Sequence, residues 1–201
     1  MTNAATATAV TIPIGTSAIA SLWAPQASAT VALYVVGSAG LSLSLSPTGT
    51  VTSIEPPVGD VGCDLEHVTG DATTVIASGA CGTAGVVWQL DGVQWSEIYR
   101  TTSTKLGAVA LDPAGDIFAA GPEGGARSVG GVWTADPDSR GRSISATSAT
   151  DVWASGGPSG VVHWDGAGWS RLDVVGAAAP HVVATERTVY FSGTSNPVLV
   201  R

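Results

Sequence analysis

The segment Val152-Trp153-Ala154-Ser155-Gly156 is an apolar run that ends in glycine, and the sequence contains four more segments of the same form. They are Leu33-Tyr34-Val35-Val36-Gly37, Val75-Ile76-Ala77-Ser78-Gly79, Ile117-Phe118-Ala119-Ala120-Gly121 and Val189-Tyr190-Phe191-Ser192-Gly193. Successive glycines lie 42, 42, 35 and 37 residues apart, so the repeat fills the chain of 201 residues. A period of this length is typical of proteins built from repeated supersecondary units.

Each copy is predicted to be the second strand of a unit of up to four short strands. A first strand precedes it, as in residues 64–70, and third and fourth strands follow, as in residues 85–90 and 93–99. Helices are disfavoured because Gly or Pro interrupts almost every window. In the Gly121 copy, residues 122–131 indicate a long polar loop, and 136–142 are too polar for a clear fourth strand. The pattern predicts an all-β fold, a five-bladed β-propeller with about 40 residues per blade.

The two ends of the repeat array predict how the ring closes. Eight residues follow Gly193, enough for a third strand but not a fourth, whereas residues 6–13 alternate like a strand before the first unit. We expect this N-terminal strand to complete the last blade, which removes an exposed sheet edge. The whole chain, residues 1–201, is then a single propeller domain. An open repeat fragment or a two-sheet sandwich is the alternative.

Composition narrows the choice of partners. The chain carries 16 acidic and 8 basic residues, a net charge of −8, and has a pI near 4.5. An acidic protein repels phosphate backbones and anionic lipids, so we expect neither nucleic acid nor a membrane as a partner. No apolar run approaches the roughly 18 residues of a membrane helix, and the N-terminal residues lack the form of a targeting segment.

The residue three places before each anchor glycine is bulky and apolar. These positions, which we call the interblade residues, are Tyr34, Ile76, Phe118, Trp153 and Tyr190. Because the position recurs in every unit in mid-strand, we expect it to pack between neighbouring blades. Four tryptophans lie outside both these positions and the two Asp-Gly turns, namely Trp23, Trp88, Trp133 and Trp164. Packing is expected for most of them, although an exposed indole could stack on a sugar ring.

Two units share a turn motif, Asp91-Gly92-Val93-Gln94-Trp95-Ser96 and Asp165-Gly166-Ala167-Gly168-Trp169-Ser170. Asp-Gly is a strong hairpin signal because the carboxylate caps backbone N–H groups and the glycine accepts positive φ. We expect the tryptophan to fix the turn against the sheet.

On these turns the sequence resembles bacterial repeat β-propeller proteins with Asp-box-like turns. The stretch 148–156, followed by Gly160-Val161-Val162-His163-Trp164-Asp165-Gly166, looks like one consensus blade of that group. In full Asp-boxes one residue separates the aspartate from the glycine, so these turns are a shortened form. The resemblance implies the fold but no single activity, because such propellers range from glycosidases to assembly factors and non-catalytic binding proteins.

The chain has two cysteines, Cys63 and Cys81. If the hairpin between them turns at residues 69–74, their positions face each other across two paired strands, within disulfide reach. We favour a disulfide, which implies an oxidising compartment and therefore a secreted, periplasmic or cell-surface protein. Two reduced cysteines are the alternative, and a zinc site lacks evident further ligands.

In a propeller, the loops that enter first strands and those that join second to third strands share one face, the usual place for a ligand by family resemblance. Six residues expected there are candidate ligand-binding residues: Asp60, Asp64, Glu123, Arg127, Arg142 and His181. No nucleophile, cofactor motif or metal-ligand spacing stands out, so we expect no catalytic residue, no cofactor and no metal.

These features favour a non-catalytic recognition module for a glycan or a protein, acting as a monomer. Its short repeats leave little room for catalytic insertions. The alternative is a small glycoside hydrolase or other hydrolase that uses carboxylates of the loop face, for which Asp60, Asp64 and Glu123 are the candidates. A structural or assembly protein is a third class.

Overall fold

The computed structural model describes residues 11–12, 14–25, 28, 30–55, 62–102, 104–157, 160–172, 181–192 and 198–200. These residues form five antiparallel sheets, and in each sheet the strands follow one another in chain order. Sheets 1 to 4 have four strands each, and sheet 5 has three among the described residues. The all-β prediction and its units of four short strands are therefore confirmed.

The strand bounds are as follows. Sheet 1 contains β1 (Ile19–Trp23), β2 (Leu33–Gly37), β3 (Ser42–Leu45) and β4 (Val51–Ser53), with a short 3-10 turn at Ser38–Gly40. Sheet 2 contains β5 (Asp64–Gly70), β6 (Val75–Cys81), β7 (Ala84–Leu90) and β8 (Trp95–Arg100). Sheet 3 contains β9 (Ala108–Leu111), β10 (Ile117–Ala120), β11 (Gly125–Val129) and β12 (Val132–Asp136). Sheet 4 contains β13 (Gly141–Ser148), β14 (Asp151–Gly157), β15 (Gly160–Trp164) and β16 (Trp169–Leu172), and sheet 5 contains β17 (His181–Ala184), β18 (Val189–Ser192) and β19 (Val198–Val200).

The first strands of neighbouring sheets lie side by side and run parallel. Val68 N–H donates to Ser21 Oγ at 3.3 Å, which joins sheets 1 and 2. Between sheets 4 and 5, Val182 N–H donates to Ser143 Oγ at 3.1 Å and Ala184 N–H to Ser145 Oγ at 3.0 Å. All first strands therefore begin at one face of the molecule, which we call the loop face, and end at the opposite face, which we call the turn face.

The interblade residues pack toward the following sheet in four of the five units. Tyr34 packs on the apolar cluster of sheet 2, Ile76 on that of sheet 3, and Phe118 on that of sheet 4. Trp153 meets Phe191 of sheet 5 with ring centroids 5.9 Å apart. The prediction of interblade packing is confirmed at these four positions, and the core consists of the apolar joints between consecutive sheets.

The fifth interblade residue behaves differently. Tyr190 is 48% exposed, as is its cross-strand partner Val183 at 58%, and on β1 of sheet 1 Ile19 and Leu22 are 43% and 55% exposed. The extensive contacts between first strands run from β1 through β5, β9 and β13 to β17, without joining β17 to β1. Residues 1–10 and 13, which contain most of the predicted closing strand, lie outside the described residues, so closure of the ring stays a prediction.

Sheet 3 corrects one strand assignment. The prediction placed a polar loop at 122–131 and a third strand at 132–135, but residues Gly125–Val129 form the third strand and Val132–Asp136 the fourth. The signal was present in Gly130-Gly131, which have φ of +59° and +81° and make the two-residue turn of a tight hairpin. Arg127 therefore lies within a strand, paired with Thr134, rather than in a loop.

The cysteine prediction is confirmed. Cys63 and Cys81 form a disulfide with their Cα atoms 4.4 Å apart. The bridge joins the residue before β5 to the last residue of β6, at the loop face of sheet 2. Cys63 is 6% exposed and belongs to the apolar cluster between sheets 1 and 2, so the bridge also contributes to that joint.

Candidate functional site

An open groove of about 410 Å³ lies on the loop face between sheets 2 and 3. One wall comes from the end of β8 and the link to β9, and the other comes from the link between β10 and β11 and from the end of β12. The lining residues are Tyr99, Arg100, Thr101, Thr102, Thr104, Glu123, Gly124, Gly125, Ala135 and Pro137. The groove is therefore formed by the kind of loops that the sequence analysis assigned to a ligand site.

Close backbone packing shapes the groove at Gly124 and Gly125. Gly124 has φ of +133°, and a Cβ there would lie 2.9 Å from Pro137 Cα. A Cβ on Gly125 would lie 1.9 Å from the carbonyl oxygen of Ala119. Ser139 Oγ donates to that carbonyl and to the carbonyl of Asp136, both at 3.1 Å. These contacts require glycine and bring main chain to the groove surface.

The opposite wall is held by its own hydrogen bonds. Thr101 Oγ accepts a bond from Gly85 N–H at 2.7 Å and donates to the carbonyl of Thr104 at 2.6 Å. Tyr99 stacks on Trp133 of sheet 3 with ring centroids 4.4 Å apart, so one aromatic pair connects both walls. Burial raises the pKa of the Tyr99 hydroxyl, which therefore stays protonated and can donate a hydrogen bond.

Two charged groups are among the described residues that line the groove. Arg100 binds Glu97 through Nε and Nη2, with an Nη2 to Oε2 distance of 2.5 Å. Glu123 lies in the link after β10 and is exposed. The groove thus offers a carboxylate, a guanidinium held by a second carboxylate, threonine hydroxyls and main chain, which suits a polar, extended ligand.

Glu123 is the candidate ligand residue that the structure places in this groove. Arg127 instead lies between sheets 3 and 4, where its guanidinium is 3.9 Å from the ring centroid of Trp164. Its Nη1 is also 3.3 Å from Asp136 Oδ2. Asp64 accepts a hydrogen bond from Ala39 N–H at 3.0 Å and so holds the link after β2 of sheet 1. These contacts give Arg127 and Asp64 structural partners within the chain.

The other candidates are distributed around the loop face. Arg142 and His181 are exposed, near the beginning of β13 and of β17. Asp60 lies outside the described residues. Of the described candidates, no hydrogen bond or ion pair joins Asp64, Glu123, Arg142 or His181 to one another. Their role in ligand binding stays a prediction.

The turn tryptophans have a role that the sequence analysis missed. Trp95 donates from Nε1 to Ser42 Oγ of sheet 1 at 2.7 Å, and Trp169 donates to Asp136 Oδ2 of sheet 3 at 2.9 Å. Each therefore bonds to the preceding sheet as well as packing beside its own turn. The equal spacing of Trp95 and Trp169 after their Asp-Gly pairs was the available signal, but the sequence does not state which sheet receives the ring.

The described part of the chain has neither a metal-binding cluster nor a membrane-spanning helix. No group of three or more His, Cys, Asp or Glu side chains is arranged there to hold a metal ion. The same residues include no helix with the length and apolar character needed to span a membrane.

Comparisons with solved structures identify the type of fold. A chain from the crystal structure of a nidogen/laminin complex aligns with 88% of this chain over 72% of its own length, with a TM-score of 0.66 and 13% sequence identity. A catalytically inactive virginiamycin B lyase from Staphylococcus aureus with quinupristin matches 94% of this chain and 72% of its own, with a TM-score of 0.69 and 11% identity. The structure of YCF48 bound to D1 peptide aligns with 83% of this chain over 59% of its own length, with a TM-score of 0.59 and 14% sequence identity.

These solved structures are β-propeller-type proteins, so the chain has a β-propeller-type fold. No protein-family model and no curated protein matches the chain.

Proposed function

We propose that this chain is a non-catalytic recognition module and that the loop-face groove between sheets 2 and 3 holds a segment of a partner protein. The observation that carries the proposal is the groove itself, because it brings Glu123, Tyr99, threonine side chains and the glycines of the link after β10 together. Main-chain and hydroxyl groups suit the amide groups of an extended peptide. A glycan is the second class of ligand that these groups can bind.

The experiment compares peptide and glycan binding in matched variants. A random peptide display library and a glycan array are screened with the parent protein, and the strongest ligand is titrated against Glu123→Gln and Thr102→Trp. The first removes a charge in the groove, and the second fills it. Glu55→Gln and Thr52→Trp make the same changes at exposed positions of sheet 1. A peptide that loses binding only in the groove variants supports the proposal.

Other results of this experiment contradict it. A ligand that binds the groove variants as tightly as the parent has a different site. A glycan ligand without any peptide ligand replaces the proposed partner class. Turnover of a glycoside that is lost in Asp64→Ala or Glu123→Ala would establish the hydrolase alternative.

We further propose that the chain is one propeller domain whose five sheets are five blades, with residues 6–13 completing the last of them. The three described strands of sheet 5 and the exposed apolar residues of sheets 1 and 5 support this arrangement. Proline at Thr8 removes a strand N–H and should lower the thermal midpoint, whereas proline at Asn3 should not. Equal midpoints in both variants contradict closure by this segment.

We also propose that the protein is exported and monomeric, and that its Asp-Gly turns are a shortened form of the Asp-box turn. The Cys63–Cys81 bridge supports export because disulfides persist in oxidising compartments. Mass spectrometry of the natural protein, alkylated at harvest, should show both cysteines bridged. Light scattering should give the mass of one chain.

A further inference from the structure

A second concave site lies on the turn face, between sheets 1 and 2, at the opposite end of the strands from the groove. Its volume is about 280 Å³. Sheet 1 contributes Ser28, Thr30 and Tyr34, and the turn between β5 and β6 contributes Asp71 and Thr73. We call it the turn-face pocket. It shares no lining residue with the loop-face groove.

Asp71 is held rigidly at this pocket. Its Oδ1 accepts hydrogen bonds from Thr73 N–H at 2.7 Å, Thr74 N–H at 2.8 Å and Thr73 Oγ at 2.9 Å. These backbone bonds keep the pKa of Asp71 below its usual value, so the carboxyl group is ionised at neutral pH. Since Oδ1 makes all three bonds, Oδ2 is available as a charged acceptor in a fixed position.

Tyr34 supplies an aromatic ring beside this acceptor. It stacks on Trp23 with ring centroids 5.8 Å apart and an interplanar angle of 22°, which fixes its orientation. Burial raises the pKa of the Tyr34 hydroxyl, so this group remains a hydrogen-bond donor. Leu90 and Val75 add apolar surface to the same pocket. The pocket therefore presents an aromatic and apolar side together with a polar side.

The remaining polar groups are hydroxyls. Ser28 Oγ accepts Val31 N–H at 3.0 Å, which leaves the hydroxyl hydrogen available to a ligand. Thr30 is exposed at the pocket. Asp71 is the one charged side chain among the described lining residues. An anionic ligand is disfavoured by this charge, whereas a neutral ligand with several hydroxyl groups finds both acceptors and donors.

We infer that the turn-face pocket binds one neutral sugar ring, such as a terminal hexose of a glycan. The ring hydroxyls bond to Asp71 Oδ2 and to the hydroxyls of Ser28, Thr30 and Tyr34, and the apolar side of the ring packs on Leu90 and the Tyr34 ring. The volume lies at the lower end of ligand pockets, roughly 300 to 1,000 Å³, which corresponds to one ring rather than an oligosaccharide. This site is independent of the proposed function of the groove.

The test is an amide NMR titration of the whole chain with single sugars. The probes are glucose, galactose, mannose and N-acetylglucosamine, with glucuronic acid as an anionic probe and choline as a cationic one. We expect a neutral hexose to shift amide signals of residues 30–34 and 71–75, with no shift from glucuronic acid.

Variants then assign the site. Thr30→Trp fills the pocket and should abolish binding, whereas Thr52→Trp, the same change on an exposed strand of sheet 1, should not. Asp71→Asn keeps an acceptor for the turn but removes the charge, and Asp165→Asn makes the same change in a comparable turn of sheet 4. We expect Tyr34→Phe to weaken binding about 2- to 10-fold through loss of one hydrogen bond, Asp71→Asn by at least as much, and Asp165→Asn not at all.

Three results would overturn the inference: no shift with any neutral sugar up to its solubility limit, equal binding by Thr30→Trp, or binding of choline in place of sugars. Because Glu123→Gln leaves this pocket intact, sugar binding in that variant separates this site from the groove.

Discussion

Trp95 and Trp169 occupy the same place in two copies of one turn, but the joints that they complete differ in chemistry. In the first copy, Asp91 Oδ1 accepts Val93 N–H at 3.2 Å and Gln94 N–H at 3.0 Å. In the second copy, Asp165 Oδ1 accepts the two equivalent N–H groups at 2.9 and 3.0 Å. Both indoles then donate to the preceding sheet. The motif therefore fixes the direction of the contact in both places.

The surroundings of the two indoles are different. Trp95 is 2% exposed and donates to the neutral Ser42 hydroxyl inside the apolar cluster between sheets 1 and 2. Trp169 is half-buried and donates to Asp136, which also binds Arg127. The joint between sheets 1 and 2 depends on buried apolar area, whereas the joint between sheets 3 and 4 adds an ion pair and a cation–π contact. The same turn can thus serve joints that respond differently to substitution and to salt.

Replacing each of the two tryptophans by alanine should give the largest difference between the joints in the free energy of unfolding. Trp95→Ala removes a fully buried ring and leaves Ser42 Oγ without its donor, so we expect a loss of about 3–5 kcal/mol in the free energy of unfolding. Trp169→Ala removes a half-buried ring and should cost roughly half as much. Urea unfolding of both variants with the disulfide intact measures the two values. Equal losses would mean that burial does not distinguish the joints.

The disulfide offers a second test of the joint between sheets 1 and 2. The bridge closes a short loop, with a sequence separation of 18 residues. The double variant Cys63→Ala, Cys81→Ala should lose about 3 kcal/mol in the chain-entropy model. The reduced and alkylated parent protein is the control and should lose a similar amount. An unchanged urea midpoint in both proteins would show that sheets 1 and 2 hold this region without the bridge.

The ion pair tests the joint between sheets 3 and 4. Arg127→Leu leaves the 6% exposed Asp136 with the Trp169 N–H but without its cation, and we expect a loss of about 1–3 kcal/mol. Arg127→Lys keeps the charge but loses the planar group above Trp164, so its loss should lie between those of Arg127→Leu and the parent. A double-mutant cycle with Asp136→Asn measures the coupling. A coupling energy of zero would mean that the ion pair between Arg127 and Asp136 does not stabilise this joint.

Much of the fold could be predicted because it depends on local pattern. The glycine-terminated strands set the repeat, and the two cysteines paired where the hairpin register placed them. Gly130-Gly131 is a weak turn signal because the stretch before it, residues 122–128, is glycine-rich and polar and resembles a loop. The sequence therefore determined strand type more securely than strand boundaries in sheet 3.

The candidate site was predicted less completely because it depends on contacts between sheets. Glu123 lies in the groove, but Arg127 is turned toward Asp136 by a contact with sheet 4 that no local pattern displays. The turn-face pocket combines Tyr34 with Asp71, residues of different sheets that come together only when sheets 1 and 2 pack.

A third joint, between sheets 2 and 3, provides a titratable comparison. His67 of β5 lies beside the backbone of Val109 of β9, where the first strands of sheets 2 and 3 meet. Burial lowers the pKa of His67 below 6.5, and its Nδ1 is buried without a partner. The folded state therefore favours neutral His67. The contribution of neutral His67 to the free energy of unfolding is complete above the pKa of the unfolded state, near 6.5. It is lost as the pH falls from there toward the pKa of the folded state.

The measurement is the thermal midpoint of the parent and of His67→Asn between pH 7 and pH 5. We expect the parent to lose more stability over this window than the variant, because asparagine does not titrate. His181→Asn makes the same substitution at an exposed position and serves as the control. Identical pH profiles for the parent and His67→Asn would contradict a buried neutral histidine at this joint.

Replacing the aspartates of the two turns should have the smallest effect on stability, and the effect should be the same in both turns. Asp91→Ala and Asp165→Ala each remove a carboxylate that accepts two backbone N–H groups at an exposed turn, where water can replace it. We expect similar small decreases in thermal midpoint, each below the decrease for Trp169→Ala. Backbone bonds to each carboxylate lower the pKa of Asp91 and of Asp165, so both decreases should disappear in acid, once the carboxyl groups of the parent are protonated. Unequal decreases in thermal midpoint at neutral pH would mean that the turns themselves contribute to the difference between the two joints. Equal decreases would mean that this difference comes from the tryptophans and their partners.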